Sequence, residues 1–329
     1  MRAQAGELKG EDFAGMSSQS RNAEVIQLAC GHKFSGKNLN LLEKALAAND
    51  FQADKRENSP ERLRLNGSSL LGFVITDKIC RTLPPSQRGD LIDRVMKVVE
   101  ANHIAKSLQL NDKFYAALGT SEVWDVSRKF HRILGAVLAD AGCQKAFDVC
   151  KALLPESFYD LEDIVPDERK GIIAPEASLR PEHQEKLNEL LNYRFANPAL
   201  ADGSIFNNNV QNGEQLCHDA RYSILGNGVL ILGASLAVNG LMCYGIHSGF
   251  QPLKECRNAL SRMEGKWRSP HLDTLTEIYS EITSKVKCNR QAEILMKSLI
   301  GAVYLDGGLD SALLTVKWLF PQHRDIKFD

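Results

Sequence analysis

ILGAVLADAG, Ile133 to Gly142, returns later in the chain as LIGAVYLDGG, Leu299 to Gly308. Read at helical spacing, Phe130, Ile133, Leu134, Val137 and Leu138 fall at i, i+3, i+4, i+7 and i+8, a single apolar stripe. Leu295, Met296, Leu299, Ile300, Val303 and Tyr304 form the matching stripe. Gly135 and Gly301 sit inside these stripes. A glycine in mid-helix costs about 1 kcal/mol relative to alanine, so its use there points to close helix packing.

Two further blocks recur in the same order. HKFSGKNLNLLEKAL (His32 to Leu46) pairs with YRFANPALADGSIF (Tyr193 to Phe206), and LRLNGSSLLGFVI (Leu63 to Ile75) pairs with YSILGNGVLILGA (Tyr222 to Ala234). Matching Phe34 to Phe195, Gly67 to Gly226 and Gly135 to Gly301 gives offsets of 161, 159 and 166 residues. Order and near-constant offset together imply a duplicated domain of about 130–150 residues. No alternating apolar–polar run is long enough for a sheet, so the expected class is all-α. The chain divides into a loose tail (residues 1–21), a first helical domain (22–155), a linker (156–183) and a second helical domain (184–329). The linker assignment follows from three prolines and many charges between Glu156 and His183, and some local structure is expected within it.

Composition narrows the function classes. The 329 residues are 43% hydrophobic and 25% charged, which favours two folded domains over a disordered chain. Lys plus Arg total 40 against 41 Asp plus Glu, a formal charge of −1. A dedicated polyanion binder is often strongly basic, so nucleic-acid binding here needs charge sorted onto one face. Basic clusters at Lys33 and Lys37, from Arg56 to Arg64, and from Lys285 to Arg290 are candidates, though each alone is commonly a solvated face.

The eight cysteines (Cys30, Cys80, Cys143, Cys150, Cys217, Cys243, Cys256 and Cys288) form no C-x-x-C pair and read as buried or idle thiols of a reducing compartment. Cys30 and His32 lack a second pair at zinc-finger spacing. The N-terminus shows no secretory h-region, and Glu7, Glu11 and Asp12 argue against a mitochondrial presequence. An intracellular, cytoplasmic location is the expectation, with an organelle as the alternative. Ile224 to Met242 is apolar, but Asn227 and Asn239 interrupt it, so it reads as a core helix and no membrane association is expected. P-loop, G-x-S-x-G and H-E-x-x-H motifs are absent from the sequence. Gly226 and Gly228 flank Asn227 without making a phosphate cradle and read as packing or kink positions.

These blocks resemble the ribonuclease III family. ERLRLNGSSLLGFVITDKI, Glu61 to Ile79, is similar to the family's signature E-R-L-E-F-L-G-D-A and its continuation, and EILMKSLIGAVYLDGG, Glu293 to Gly308, is similar to the late helix. His32 to Leu46 resembles the family's opening, and Arg88, Gly89, Asp90 and Leu91 its E-G-D-L turn. The resemblance implies two tandem all-α ribonuclease III-like domains that form a pseudo-dimer within one chain. Nothing follows Phe320 but nine residues, so the family's usual double-stranded-RNA-binding module is not expected there.

Family members cut double-stranded RNA with four acids per centre. Glu-x-x-x-Asp on one helix and Asp-x-x-Glu on the other each set two carboxylates one turn apart, and the oxygens hold Mg²⁺. In the first half those four positions fall on Arg64, Ser68, Arg128 and His131; in the second they fall on Ser223, Asn227, Ile294 and Lys297. None is a carboxylate, and three are cations that would repel a metal. A one-residue slip brings Glu293 near a ligand position, which leaves the set incomplete. Glu61 matches the first signature Glu, usually structural in the family; Asp140 and Asp306 match each other and read as turn or cap residues, and Asp90 as an N-cap.

The expected function is therefore non-catalytic, with no metal and no cofactor. The protein would bind structured or double-stranded RNA through Arg64, Arg128, His131 and Lys297, in RNA processing or in ribonucleoprotein or ribosome assembly. Arg128 and His131 would meet phosphate where the family site holds metal. The alternative is a protein-interaction scaffold that pairs with an active ribonuclease III or other subunits of a ribonucleoprotein. An active nuclease with unrecognised ligands is the third possibility.

Overall fold

The structure, a computed structural model, describes residues 17–34, 38–47, 59–82, 100–155, 158, 178–206, 210–211, 214–215, 221–237, 270–283 and 289–319. Its helices are α1 (Ser18–Cys30), α2 (Leu39–Leu46), α3 (Pro60–Thr82), α4 (Ala101–Gln109), α5 (Asp112–Ala117), α6 (Val123–Leu153), α7 (Pro181–Leu191), α8 (Pro198–Phe206), α9 (Arg221–Ala237), α10 (Pro270–Thr283) and α11 (Asn289–Leu319). Val210–Gln211 and Glu214–Gln215 (β1 and β2) form a two-residue antiparallel ladder, with Val210 opposite Gln215. The class is all-α.

Two helices start earlier than expected. Ser17 caps α1 by accepting from the Ser20 N–H at 3.2 Å, so the helix begins inside the stretch read as tail. Pro181 opens α7 from its first turn, because a proline there gives up an N–H that would lack an intrahelical partner anyway. Just ahead of it, the backbone of buried Leu179 donates to Asp202 Oδ1 at 3.1 Å. The last residues of the expected linker are therefore structured.

The chain falls into two compact units. Unit 1 holds α1, α2, α3 as far as Leu71, and α4 to α6; unit 2 holds α3 from Gly72 onward and α7 to α11. Helix α3 is covered all round, with Leu63, Leu70, Leu71, Phe73, Val74, Ile75 and Ile79 all buried. That explains why its sequence carries no sharp amphipathic stripe. Within unit 2, Phe73 meets Tyr304 edge-on at 5.0 Å between ring centroids. The Tyr304 hydroxyl donates to buried Asp77 Oδ1 at 2.7 Å, and Arg81 Nε donates to the same oxygen at 2.7 Å.

In unit 1, α3 crosses α6 backbone to backbone. A Cβ on Gly67 would stand 1.8 Å from the His131 carbonyl oxygen, and one on Gly135 would stand 1.9 Å from the Leu63 carbonyl oxygen. In unit 2, α9 crosses α11 in the same way: a Cβ on Gly226 would stand 1.7 Å from the Lys297 carbonyl oxygen, and one on Gly301 would stand 2.0 Å from the Tyr222 carbonyl oxygen. The partners match across the repeat, Leu63 with Tyr222 and His131 with Lys297. Each long helix then kinks at a glycine of positive φ, Gly142 at 78° and Gly308 at 79°.

The aspartate before each kink holds the opening segment of its unit. Asp140 accepts from the Asn38 side-chain amide on one oxygen, and its other oxygen lies 2.7 Å from His32 Nε2. Asp306 accepts from the Tyr193 hydroxyl at 2.8 Å and from the backbone of Ala196 and Asn197 at 2.7 and 2.9 Å. Beside each clamp an aromatic pair packs edge-on, His32 with Phe34 and Tyr193 with Phe195.

As far as Ala237, the apolar stretch from Ile224 is a core helix, as expected: Leu225, Val229, Leu230, Leu232 and Ala234 of α9 are at most 2% exposed, and residues 238–242 of the stretch lie outside the described residues. Among the described residues, Ile294–Leu319 in α11 is long and apolar enough to cross a membrane, with a mean hydropathy of 1.4. Just over half of that window is buried within the protein, where Val316 and Leu313 pack on Gly233 of α9.

Gly67→Ala and Gly226→Ala should each be severely destabilising. The added methyl meets backbone, which cannot swing aside as a side chain can, so the loss should reach the upper end of overpacking costs, about 3 kcal/mol. Urea unfolding measures it. A change within about 0.5 kcal/mol in either variant would show that the helices do not touch there.

Candidate functional site

The crossing of α3 and α6 decides what surrounds it. Arg64 and Ser68 bracket Gly67 on α3, while His131 offers its backbone to Gly67 and Arg128 lies one turn before it on α6. The four residues expected at the degenerate centre of the first half therefore occupy facing stretches of two touching helices. Arg64 is buried and its Nε donates to Glu61 Oε2 at 2.7 Å. Ser68 turns its hydroxyl onto the Leu65 carbonyl at 2.9 Å, so that group is used within its own helix. Arg128 is only partly covered.

Arg132 joins this group although its sequence position gives no hint of it. It is 2% exposed, donates from Nη2 to Glu61 Oε1 at 3.0 Å, and donates from Nη1 to the Ala47 carbonyl at 3.1 Å. It thereby ties the end of α2 to the site. The retained Glu61 is the available signal, since a carboxylate at a packed crossing needs cationic partners. Burial alone would raise the Glu61 carboxyl, but Arg64 and Arg132 outweigh it and hold the group below the usual carboxylate range. Arg132 is itself pulled down, first by burial and then by the charges of Arg128 and Arg64, against the opposing pull of Glu61.

His131 feels the same excess of positive charge. Burial first, then Arg64, push its imidazole down to about 3, so it is neutral around pH 7. A neutral ring can exchange a hydrogen bond with a phosphate oxygen but adds no charge of its own.

The corresponding set in unit 2 is less charged. Ser223 is buried, while Asn227, Ile294 and Lys297 are partly covered around the Gly226–Gly301 crossing. Lys297 is the cation of the four. The Glu293 side chain, Asp90, Lys37, Arg56, Lys285, the Arg290 side chain, Cys217, Cys243, Cys256 and Cys288 lie outside the described residues. Cys30 and Cys150 are buried, and burial raises both thiols, Cys30 to about 12, which leaves them protonated and unreactive.

The donor sets do not fit a divalent cation. Mg²⁺ needs several oxygen ligands, and the eight expected positions offer guanidinium, ammonium, imidazole, hydroxyl, amide and alkyl groups. Glu61 is committed to two arginines, and both oxygens of Asp140 and of Asp306 are occupied by clamp contacts. Among the described residues no group of three or more His, Cys, Asp or Glu side chains converges on a possible metal position.

Comparison with known proteins finds part-length relatives. The chain is 32% identical over 123 residues to Ribonuclease 3 of Coxiella burnetii (strain CbuK_Q154), which covers 35% of this chain and 50% of that protein. It is 33% identical over 141 residues to Ribonuclease 3 of Protochlamydia amoebophila, covering 39% and 57%. Ribonuclease 3 of Desulfotalea psychrophila matches at 26% over 173 residues, covering 48% and 68%. No family model matches the chain. The chain spans about half the length of the first two relatives. These part-length similarities support a ribonuclease III-like family.

The depressed His131 gives a pH dependence of known sign. As pH falls below about 6.5 the unfolded chain takes up a proton that the folded chain refuses until about 3. Stability therefore drops across that window. His131→Gln should remove this part of the slope, so the variant gains on the wild type between pH 7 and about 4.5 in urea midpoints. Parallel pH profiles would show that the ring titrates normally.

Proposed function

We propose that this protein is a non-cleaving ribonuclease III-like protein that binds double-stranded or structured RNA in RNA processing or in ribonucleoprotein or ribosome assembly. Its two degenerate ribonuclease III-like halves would serve as the two subunits of a pseudo-dimer within one chain. One observation carries the reading. The residues that the resemblance puts at the positions of the family's acids, Arg64, Ser68, Arg128, His131 and Ser223, Asn227, Ile294, Lys297, flank the two glycine crossings and include no carboxylate. Hydrolysis through two metal ions has no ligands in such a set. Contact with the RNA backbone needs only cations and hydrogen-bond donors, which the set supplies. The relatives named Ribonuclease 3 support the RNA side of the proposal.

A protein-interaction scaffold is the second reading. It is favoured by the formal charge of −1 and by Leu314 and Trp318, both exposed one turn apart on α11. Such pairs of large apolar side chains mark contact surfaces when they belong to a wider patch.

A gel shift with labelled duplex RNA separates the readings. Binding should occur in EDTA, weaken steeply with salt, and leave the RNA intact when Mg²⁺ or Mn²⁺ is added. Lys297→Gln should weaken binding to all duplexes alike and lower the salt slope by about 1. No shift at low salt favours the scaffold, and metal-dependent shortening of the RNA contradicts the loss of catalysis.

A further inference from the structure

The α3–α6 crossing leaves positive charge uncompensated. Two arginines, Arg64 and Arg132, converge on one carboxylate, Glu61, and the charge of Arg128 reaches Arg132. Arg132 uses two of its nitrogens on Glu61 and on the Ala47 carbonyl. Arg64 is used differently. Its side chain is 7% exposed, its Nε is committed to Glu61, and its Nη1 and Nη2 take no hydrogen bond among the described residues. Neither Nη atom is among the partnerless polar atoms sealed from solvent. Arg128 makes no ion pair among the described residues. The structure thus holds an oriented guanidinium, anchored by its Nε and 7% exposed, whose two Nη donors face solvent unspent, and a second guanidinium whose charge reaches the same cluster.

Like charges repel more strongly away from bulk water. A tetrahedral oxyanion relieves that repulsion, and its oxygens match the planar Arg64 fork in bidentate fashion. Lysine would not replace arginine in that role. The unit 2 counterparts of Arg64 and Arg128 are Ser223 and Ile294, so nothing equivalent is assembled there.

We propose that Arg64 Nη1 and Nη2, together with Arg128, form a metal-independent site for one phosphate group in unit 1 alone. Glu61 and Arg132 act as positioning residues, holding the Arg64 fork by its Nε and fixing the end of α2 beside it. His131 stays neutral alongside and is free to share a hydrogen bond with the anion. The proposal rests on the RNA-binding reading only for the source of the phosphate, which is a backbone phosphodiester of RNA or a free phosphate group.

The test uses the full chain in EDTA and follows the thermal midpoint against inorganic phosphate, with chloride at matched ionic strength as the reference. Phosphate should raise the midpoint saturably where chloride does not. Arg128→Gln should abolish the rise, and Lys113→Gln, which removes an exposed charge from α5, should leave it intact. Arg64→Lys, checked for a native circular-dichroism spectrum, should weaken phosphate at least several-fold despite keeping the charge. An equal rise in wild type and Arg128→Gln, or none beyond chloride, overturns the proposal. The gel shift in EDTA, run on the same variants, identifies the source. A phosphate effect lost in Arg128→Gln, without any RNA shift, keeps the site for a free phosphate group while the RNA reading fails. An RNA shift indifferent to Arg128→Gln, with no phosphate effect, sinks the site and leaves the RNA reading standing.

Discussion

Backbone touching backbone at a pair of glycines is the constraint on which the rest of each unit depends. Gly67 against His131 and Gly135 against Leu63 bring two long helices to a separation that no side chain would permit. That separation fixes which residues flank the crossing and how near they come. It is why Arg64 influences His131, and why Glu61 can be shared between arginines from two helices. Gly226 and Gly301 impose the same constraint on α9 and α11. A helical glycine is locally unfavourable, so four of them at matched positions record a requirement of packing rather than of propensity.

The electrostatics of unit 1 follow from that closeness. Arg64, Arg128 and Arg132 give unit 1 a surplus of positive charge beside the crossing, and Glu61 offsets only part of it. Buried Arg132 and partly covered His131 respond as groups in a positive field must, each shifted toward its neutral form. Unit 2 has gone another way, with Ser223, Asn227 and Ile294 uncharged and Lys297 alone cationic among its four positions. The two crossings share a geometry and differ in charge, so the chemistry of one is a poor guide to the chemistry of the other.

Much of this is legible in the sequence, for physical reasons. The repeated blocks contain the crossing glycines, and a glycine inside an apolar stripe is costly unless close packing requires it. The helices α6 and α11 are visible because one face of each is polar. The matched Asp140 and Asp306 are recognisable as local anchors, although their partners, His32 with Asn38 and Tyr193 with the Ala196–Asn197 backbone, are remote in sequence and lie beyond its reach. Arg132 escapes a sequence reading because a long-range ion pair leaves no periodic trace. The division of α3 at Leu71 between the two units is hidden for a related reason: a helix buried all round has no face that reveals its neighbours. Pro181 has the look of a helix breaker in a proline-rich stretch, whereas its position makes it a helix start.

The residues around the two helix crossings bring together no set of carboxylates for a divalent cation. Calorimetric titration of the full chain with Mn²⁺, in buffer free of phosphate and nucleic acid, addresses it directly. The account predicts heats indistinguishable from dilution, because the positions around both crossings carry no carboxylate. A saturable, stoichiometric binding event accompanied by metal-dependent cleavage of duplex RNA would contradict it.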